Sequence, residues 1–164
     1  MTTNTKTVAF VNLKGGVGKT TSAIGTAEAL ARLGHTVTVR DADPSGAATL
    51  WAHKALSAGR PLPFGVEVVN RFTVAAPAEE GLLICRMVSS MRSRSMGPVV
   101  VTQTRYGTRS LRHAEEFLAE NGLAHCRETI PYKEAMRLAP DEGRFPSASG
   151  YGLIAKELSD AFNA

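Results

Sequence analysis

A glycine-rich segment near the N-terminus contains the residues with the clearest chemical potential. Residues 8–13 form a short apolar run, and residues 14–21 follow it with the sequence Lys-Gly-Gly-Val-Gly-Lys-Thr-Thr. A buried strand that enters a glycine-rich turn and then a helix forms a cradle for an anion, because glycines let successive N–H groups converge. The helix start adds unpaired N–H groups and the positive end of its dipole. The segment therefore predicts a binding site for phosphate groups.

Side chains of this loop also fit a polyphosphate. Lys19 is placed to reach the outer phosphates, and the Thr20 hydroxyl is placed to bind Mg²⁺. The general pattern for such loops is G-x-x-x-x-G-K-[ST], but Leu13 occupies its first glycine position and Lys14 stands at the front of the loop. The alternative, a turn that merely joins a strand to a helix, leaves both lysines unexplained.

Two carboxylates follow the next predicted strand. Residues 36–41 alternate between polar and apolar, and the segment Asp41-Ala-Asp43-Pro-Ser45-Gly continues from them. Open parallel sheets bind ligands at the carboxyl ends of their strands, so Asp41 and Asp43 are candidates for binding a metal or a water molecule. The alternative is that these side chains cap the following helix, a role that Asp and Ser favour. The two roles are compatible.

The remaining sequence alternates between strand-like and helix-like patterns. Strands are predicted over 8–13, 36–41, 65–69, 72–76, 99–104 and 125–130. Helices are predicted over 18–33, 47–57, 82–91, 108–121 and 150–162, with a helix start at 77–80 before the third of them. The expected inward-facing residues are Ala23, Ile24, Ala27, Leu30, Ala31, Leu50, Trp51, Leu56, Leu111, Phe117 and Leu118. This alternation predicts an α/β fold with a mostly parallel sheet and helices on both faces.

Length and composition favour one soluble domain. The 164 residues fit a single domain over 1–164, and 43% hydrophobic and 21% charged residues are ordinary values. No apolar run approaches the ~20 residues of a membrane span, and the N-terminus has no apolar secretory segment. Cys85 and Cys126 stand far apart and fit idle thiols in a reducing cytoplasm. The net charge of +4 permits contact with nucleic acid.

Val11-Asn12 and the loop after them resemble the deviant Walker A loop of the ParA/MinD family of ATPases. A later segment, with Thr129-Ile-Pro131, Glu134-Ala135 and Gly143-Arg-Phe-Pro146, is similar to a second motif of that family. The resemblance implies a P-loop NTPase-like domain that binds ATP or ADP with Mg²⁺ and dimerises face to face. It also implies that one loop lysine acts on its own nucleotide and the other on the partner's.

The same resemblance assigns roles to individual residues. Lys19 would act in cis and Lys14 in trans, and Asp43 would orient or activate the attacking water. Mg²⁺ would be bound through Thr20, with Asp41 and Asp43 near it. The nucleotide would be contacted by Lys14, Gly15, Gly16, Val17, Gly18, Lys19, Thr20 and Thr21, and its base by Thr102, Gln103 and Pro131. Ser45 stands where the family usually has Gln.

One expected family motif has no counterpart. The Walker B strand of the family is an apolar run that ends in Asp, and none of the four aspartates, Asp41, Asp43, Asp141 and Asp160, follows such a run in the middle of the chain. We infer an internal shortening near residues 70–72 and a reduced number of strands. The alternative is that residues 65–69 form this strand with Asn70 in place of Asp. Mg²⁺ binding can survive the loss of this aspartate. Hydrolysis depends on positioning and charge stabilisation and is therefore more sensitive to the loss.

The resemblance implies a partition or positioning ATPase for plasmid or chromosomal DNA that hydrolyses ATP slowly. Its partners would be a second copy, a centromere-binding adaptor protein and non-specific DNA, with no membrane. A basic cluster suits DNA phosphates, although a solvated helix face is the alternative; it consists of Arg92, Arg94, Arg105, Arg109 and Arg112. A second hypothesis is a nucleotide-binding regulatory or interaction module of the same fold with little or no turnover.

Overall fold

The computed structural model describes residues 6–11, 16–70, 73, 82–87, 100, 102–105, 107–122, 125–143, 145–146 and 149–163. Its strands are β1 (Thr7–Val11), β2 (Val37–Asp41), β3 (Gly65–Val68), β4 (Leu82–Met87), β5 (Thr102–Thr104) and β6 (Ile130–Pro131). Its helices are α1 (Lys19–Arg32), α2 (Ala47–Ser57), α3 (Arg109–Glu120), α4 (Glu134–Glu142) and α5 (Tyr151–Asn163). None of the helices in these ranges is long and apolar enough to cross a bilayer.

The strands form a parallel sheet with a crossover. Four strands pair in the order β1-β4-β2-β3, and β5 and β6 form a separate parallel pair. Because neighbouring strands are parallel, the carboxyl ends of β1, β4 and β2 lie at the same edge of the sheet. The α/β class and the parallel sheet predicted from the sequence are therefore confirmed.

Helix α1 supplies the centre of the core. It packs on β1, β2 and β4, and α5 packs on α1. Four of the predicted inward-facing residues, Ala23, Ile24, Ala27 and Leu30, have no exposed surface. Gly25 allows the close approach of neighbouring rings, since a β-carbon there would lie 2.5 Å from both Phe145 and Tyr151. Small residues on this face thus let α1 lie close to its neighbours.

The predicted helix over 82–91 is wrong, because residues 82–87 form strand β4. The segment pairs with β1 on one side and with β2 on the other, from Leu82 opposite Val37 to Met87 opposite Val11. A short apolar run has no period that separates a buried strand from a buried helix. Backbone hydrogen bonds to two neighbouring strands decide its conformation here. Residues 74–80 and 88–91 lie outside the described residues, as do most of the strand predicted over 72–76.

The predicted strand over 125–130 is also wrong for most of its length. Only Ile130 enters a strand, as the first residue of β6. The carboxylate of Glu157 on α5 accepts hydrogen bonds from the N–H groups of Arg127, at 2.8 Å, and Glu128, at 2.9 Å. These amides are therefore satisfied by a side chain and take no part in a strand.

Three apolar side chains that were predicted to pack are exposed. The exposed fractions are 55% for Leu50, 62% for Leu56 and 58% for Phe117. Helix α2 turns Ala48, Trp51 and Ala55 inward, and this spacing directs the two leucines to the opposite side. The burial of Trp51 in the core is confirmed, as is that of Leu118.

Gly143 should be intolerant of a side chain, because α4 meets α2 there. Its φ is +60°, and a β-carbon would lie 2.7 Å from the backbone nitrogen of Ala55. Gly143→Ala should lower the free energy of unfolding by about 2–4 kcal/mol, from left-handed strain plus the overlap with α2. Urea denaturation monitored by circular dichroism measures it.

Gly59→Ala is the matched control, because Gly59 has a φ of +70° but open space around its β-carbon. It should cost only the strain, about 1 kcal/mol. Equal losses for both substitutions would contradict the close contact between α4 and α2.

Candidate functional site

The glycine-rich loop leaves the start of α1 open. Gly16 and Gly18 adopt left-handed φ values of 73° and 80°, and Gly18 is the N-cap residue of α1. Within the described residues no side chain caps this helix, and its first turn has no acidic residue. The helical hydrogen bonding begins with the backbone N–H of Ser22, which donates to the Gly18 carbonyl oxygen at 2.8 Å. A helix start of this kind, without a side-chain cap, suits the binding of an anion.

A cavity of about 400 Å³ lies in front of this helix start. It is bounded by the loop, by α4 and by the ends of β5 and β6, and its volume suits a small-molecule ligand. The lining residues are Gly16, Gly18, Lys19, Thr20, Thr21, Ser22, Ala47, Trp51, Thr102, Ile130, Pro131, Tyr132, Lys133, Met136, Arg137, Pro140 and Tyr151. The chain thus brings the predicted phosphate loop and the predicted base-contact residues Thr102 and Pro131 to one cavity.

The charged groups that line the cavity in the described part of the chain are all basic. Lys19, Lys133 and Arg137 line it, and among the described residues no carboxylate does. Glu134 lies beside the cavity, where its Oε1 accepts hydrogen bonds from Arg137 at 2.6 and 2.9 Å. These bonds lower the pKa of Glu134 and raise that of Arg137, so both groups stay charged at neutral pH. The local potential favours an anionic ligand.

Two aromatic side chains, Trp51 and Tyr151, form the floor of the cavity, and Phe145 contacts both of them. Trp51 stacks on Phe145 with ring centroids 5.8 Å apart, and Phe145 meets Tyr151 edge-on at 5.4 Å. The Tyr151 hydroxyl is 2.8 Å from Oγ of Ser22, and burial raises the pKa of Tyr151 to about 12. The phenol therefore stays protonated and fastens the first turns of α1 and α5 to each other.

Asp41 holds the start of α2. Its side chain is almost fully buried, and Oδ2 accepts hydrogen bonds from the N–H groups of Ala48 and Thr49, at 3.0 and 3.1 Å, and from the Thr49 hydroxyl. Oδ1 accepts a further bond from the N–H of Asp43. The capping interpretation of this segment is therefore confirmed for Asp41.

Asp43 shapes the loop that follows β2. Its Oδ1 accepts a hydrogen bond from the N–H of Ser45 at 2.8 Å, and its side chain is half-buried. Neither Asp43 nor Asp41 lines the cavity. The structure thus places both carboxylates at the carboxyl edge of the sheet but not in the wall of the cavity in front of α1.

The described residues do not fit a magnesium site held by the protein. Mg²⁺ is usually bound through one or two carboxylates together with substrate phosphates. The Thr20 hydroxyl lies in the lining, but no carboxylate does, and the oxygens of Asp41 already accept four hydrogen bonds. The described part of the chain also has no cluster of three acidic, histidine or cysteine side chains.

Strand β4 occupies the sheet position next to the phosphate loop. It lies between β1 and β2, its sequence Leu-Leu-Ile-Cys-Arg-Met has no acidic residue, and Arg86 is in register with Phe10 and Asp41. By contrast, β3 is at the edge of the sheet and pairs only with β2 among the described strands. Asn70 therefore lies beyond the edge strand, away from β1, where its side chain accepts from the N–H of Thr73.

Several predicted site residues are present in the lining: Gly16, Gly18, Lys19, Thr20, Thr21 and Pro131. Val17 is described but does not line the cavity, while Lys14, Gly15 and the side chain of Gln103 lie outside the described part. Sequence reasoning missed Trp51, Lys133 and Arg137 as lining residues. No local motif marks them, because packing of α2 and α4 brings them to the loop.

The basic cluster is only partly described. Arg105 lies over the ring of Tyr132, 5.7 Å from its centroid, while Arg109 begins α3 and is exposed. Thr108 caps this helix by accepting from the N–H of Leu111. Arg92 and Arg94 lie outside the described residues.

Solved structures share the fold at low sequence identity. A protein described as a plasmid partition protein of Borrelia burgdorferi B31, bound to AMPPNP, matches 97% of this chain and 98% of its own, with a TM-score of 0.56 and 14% identity. The MinC:MinD cell division protein complex of Aquifex aeolicus matches 94% of this chain and 96% of its own, with a TM-score of 0.58 and 14% identity. These similarities establish the P-loop NTPase fold of ParA and MinD proteins.

Two curated relatives are similar over shorter segments. The maintenance of carboxysome distribution protein A of Gloeobacter kilaueensis is 49% identical over 53 residues, which are 32% of this chain and 24% of that protein. The chromosome-partitioning ATPase Soj of Thermus thermophilus is 60% identical over 42 residues, which are 26% of this chain and 17% of that protein. The matched segments thus span less than a quarter of each relative.

A family model matches most of the chain. The model describes the CobQ/CobB/MinD/ParA nucleotide binding domain, and its match extends over residues 8–146. This range includes the glycine-rich loop, both carboxylates of the β2 end and the cations of α4. The protein belongs to the CobQ/CobB/MinD/ParA family of nucleotide-binding domains.

Proposed function

We propose that the cavity in front of α1 binds ATP or ADP and that nucleotide binding drives assembly of a homodimer for partition or positioning of DNA. One observation carries the proposal: the start of α1, which has no side-chain cap, lines one cavity together with Lys19, Lys133 and Arg137. A polyphosphate placed there would meet backbone amides and cations.

The named relatives support the cellular role. One is a chromosome-partitioning ATPase and another distributes carboxysomes, so both move or place large cargo. Because the matched segments are short, partition activity is a proposal for this chain. We also propose one domain over residues 1–164, shortened near residues 70–72, in a cytoplasmic protein.

The proposed partners come from the family resemblance of the sequence. We propose that Lys14 reaches the nucleotide of the second subunit and that a centromere-binding adaptor regulates turnover. Non-specific DNA would bind to the basic cluster, where Arg109 is exposed on the described part of the chain. Such binding should weaken steeply with salt, because it releases condensed counterions from DNA.

We also propose that the protein hydrolyses ATP slowly or not at all. Asp41 is occupied with α2, and β4 has no acidic residue next to the phosphate loop. These observations favour a nucleotide-binding regulatory module as the alternative to a working ATPase. Asp43 is the remaining candidate among the predicted residues for orienting the attacking water.

Lys19→Ala should abolish or strongly weaken nucleotide binding. Losing charge-assisted contacts to phosphate costs about 1.5–3 kcal/mol, which is roughly 10- to 150-fold in affinity. Trp51 is the single tryptophan and lines the cavity, so its fluorescence can report a titration with ATP or ADP.

Lys156→Ala is the control, because Lys156 is exposed on α5 and outside the lining. It removes the same charge and should leave the affinity unchanged. An unchanged affinity for Lys19→Ala would contradict the phosphate assignment.

Asp43→Ala should retain nucleotide binding but slow any turnover, so that the nucleotide-bound dimer accumulates. The expected result is a rate about 100-fold lower, in the range for loss of a general base. ATP hydrolysis measured with and without DNA, together with sedimentation of the nucleotide-bound protein, tests it.

The matching change at Asp41 should act differently. Asp41→Ala removes the buried cap of α2 and should lower the midpoint of urea unfolding, an effect that Asp43→Ala should not share.

If Asp43→Ala hydrolyses ATP at the wild-type rate, Asp43 is excluded as the water-orienting group.

A further inference from the structure

We propose that nucleotide binding at this cavity is independent of Mg²⁺, because basic side chains meet the charge of the polyphosphate. The inference rests on the proposed nucleotide-binding function and narrows the ligand to a nucleoside polyphosphate that needs no bound metal. It arises from the mismatch between the residues at the site and the magnesium shell that the family resemblance implies.

The charge of the lining supports this inference first. Three cations line the cavity: Lys19 of α1, Lys133 just before α4, and Arg137 of α4. Among the described lining residues, no acidic group offsets their positive charge. Glu134 neutralises part of the Arg137 charge from outside the lining. A polyphosphate is stabilised by nearby positive charge, which these cations supply without a metal.

The location of Asp41 supports it second. In a metal site this carboxylate would face the phosphates or a metal-bound water. Here it is 1% exposed and accepts both N–H groups of Ala48 and Thr49 at the start of α2. Turning it toward a metal would take this acceptor away from the N–H groups of Ala48 and Thr49, which is unfavourable.

The sequence of β4 supports it third. This strand ends beside the last residue of β1, where the phosphate loop begins, and beside Asp41 of β2. Its six residues, Leu-Leu-Ile-Cys-Arg-Met, include no acidic residue, so β4 itself supplies no carboxylate for a metal.

Calorimetric titration of the full chain with ATP and with ADP, in excess Mg²⁺ and in EDTA, tests the inference. The dissociation constants in the two conditions should agree within about fivefold, a difference of about 1 kcal/mol. Weakening by more than that in EDTA would overturn the inference while leaving nucleotide binding intact. Absence of binding in both conditions would instead overturn the proposed function, and the inference with it.

A pair of variants tests the charge argument separately. Arg137→Gln should weaken ATP binding in EDTA severalfold. Arg60→Gln removes an equal charge at an exposed residue outside the lining and should have no effect. Equal affinities for these two variants in EDTA would contradict the assignment of Arg137 to the polyphosphate.

Discussion

Two helices begin at the same edge of the sheet, and they differ in whether a side chain caps their first N–H groups. Helix α2 receives the buried carboxylate of Asp41, which accepts from Ala48 and Thr49. Helix α1 begins at a left-handed Gly18 with no side-chain cap in the described residues. Because the N–H groups at a helix start attract anions, the start of α1 suits an external ligand, whereas the start of α2 already has a carboxylate. The cavity and its cations lie in front of that open end.

The local parts of this arrangement could be predicted from the sequence. The glycine-rich loop is contiguous, and the small and apolar residues of α1 recur at helical spacing. Asp41 and Asp43 precede α2 in a pattern that favours capping, and the structure confirms the cap for Asp41. In each case neighbouring residues in the chain determine the geometry, so the pattern and the structure agree.

The non-local parts could not be predicted. Strand β4 has only six residues, and its pairing with β1 and β2 decides its conformation. Likewise, the carboxylate of Glu157 on α5 accepts hydrogen bonds from the N–H groups of Arg127 and Glu128. The sequence pattern predicts a strand for these two residues. The far wall of the cavity depends on how α4 packs on α2, which the close approach at Gly143 sets.

Charge and shape have separate roles in such a cavity. Three cations attract any polyanion, so they raise affinity without choosing among nucleotides. Selection of a base must come from the less polar residues of the lining, which include Ile130, Pro131, Met136 and Trp51. The Ser22–Tyr151 bond ties this part of the lining to the first turn of α1, since Tyr151 lines the cavity and begins α5.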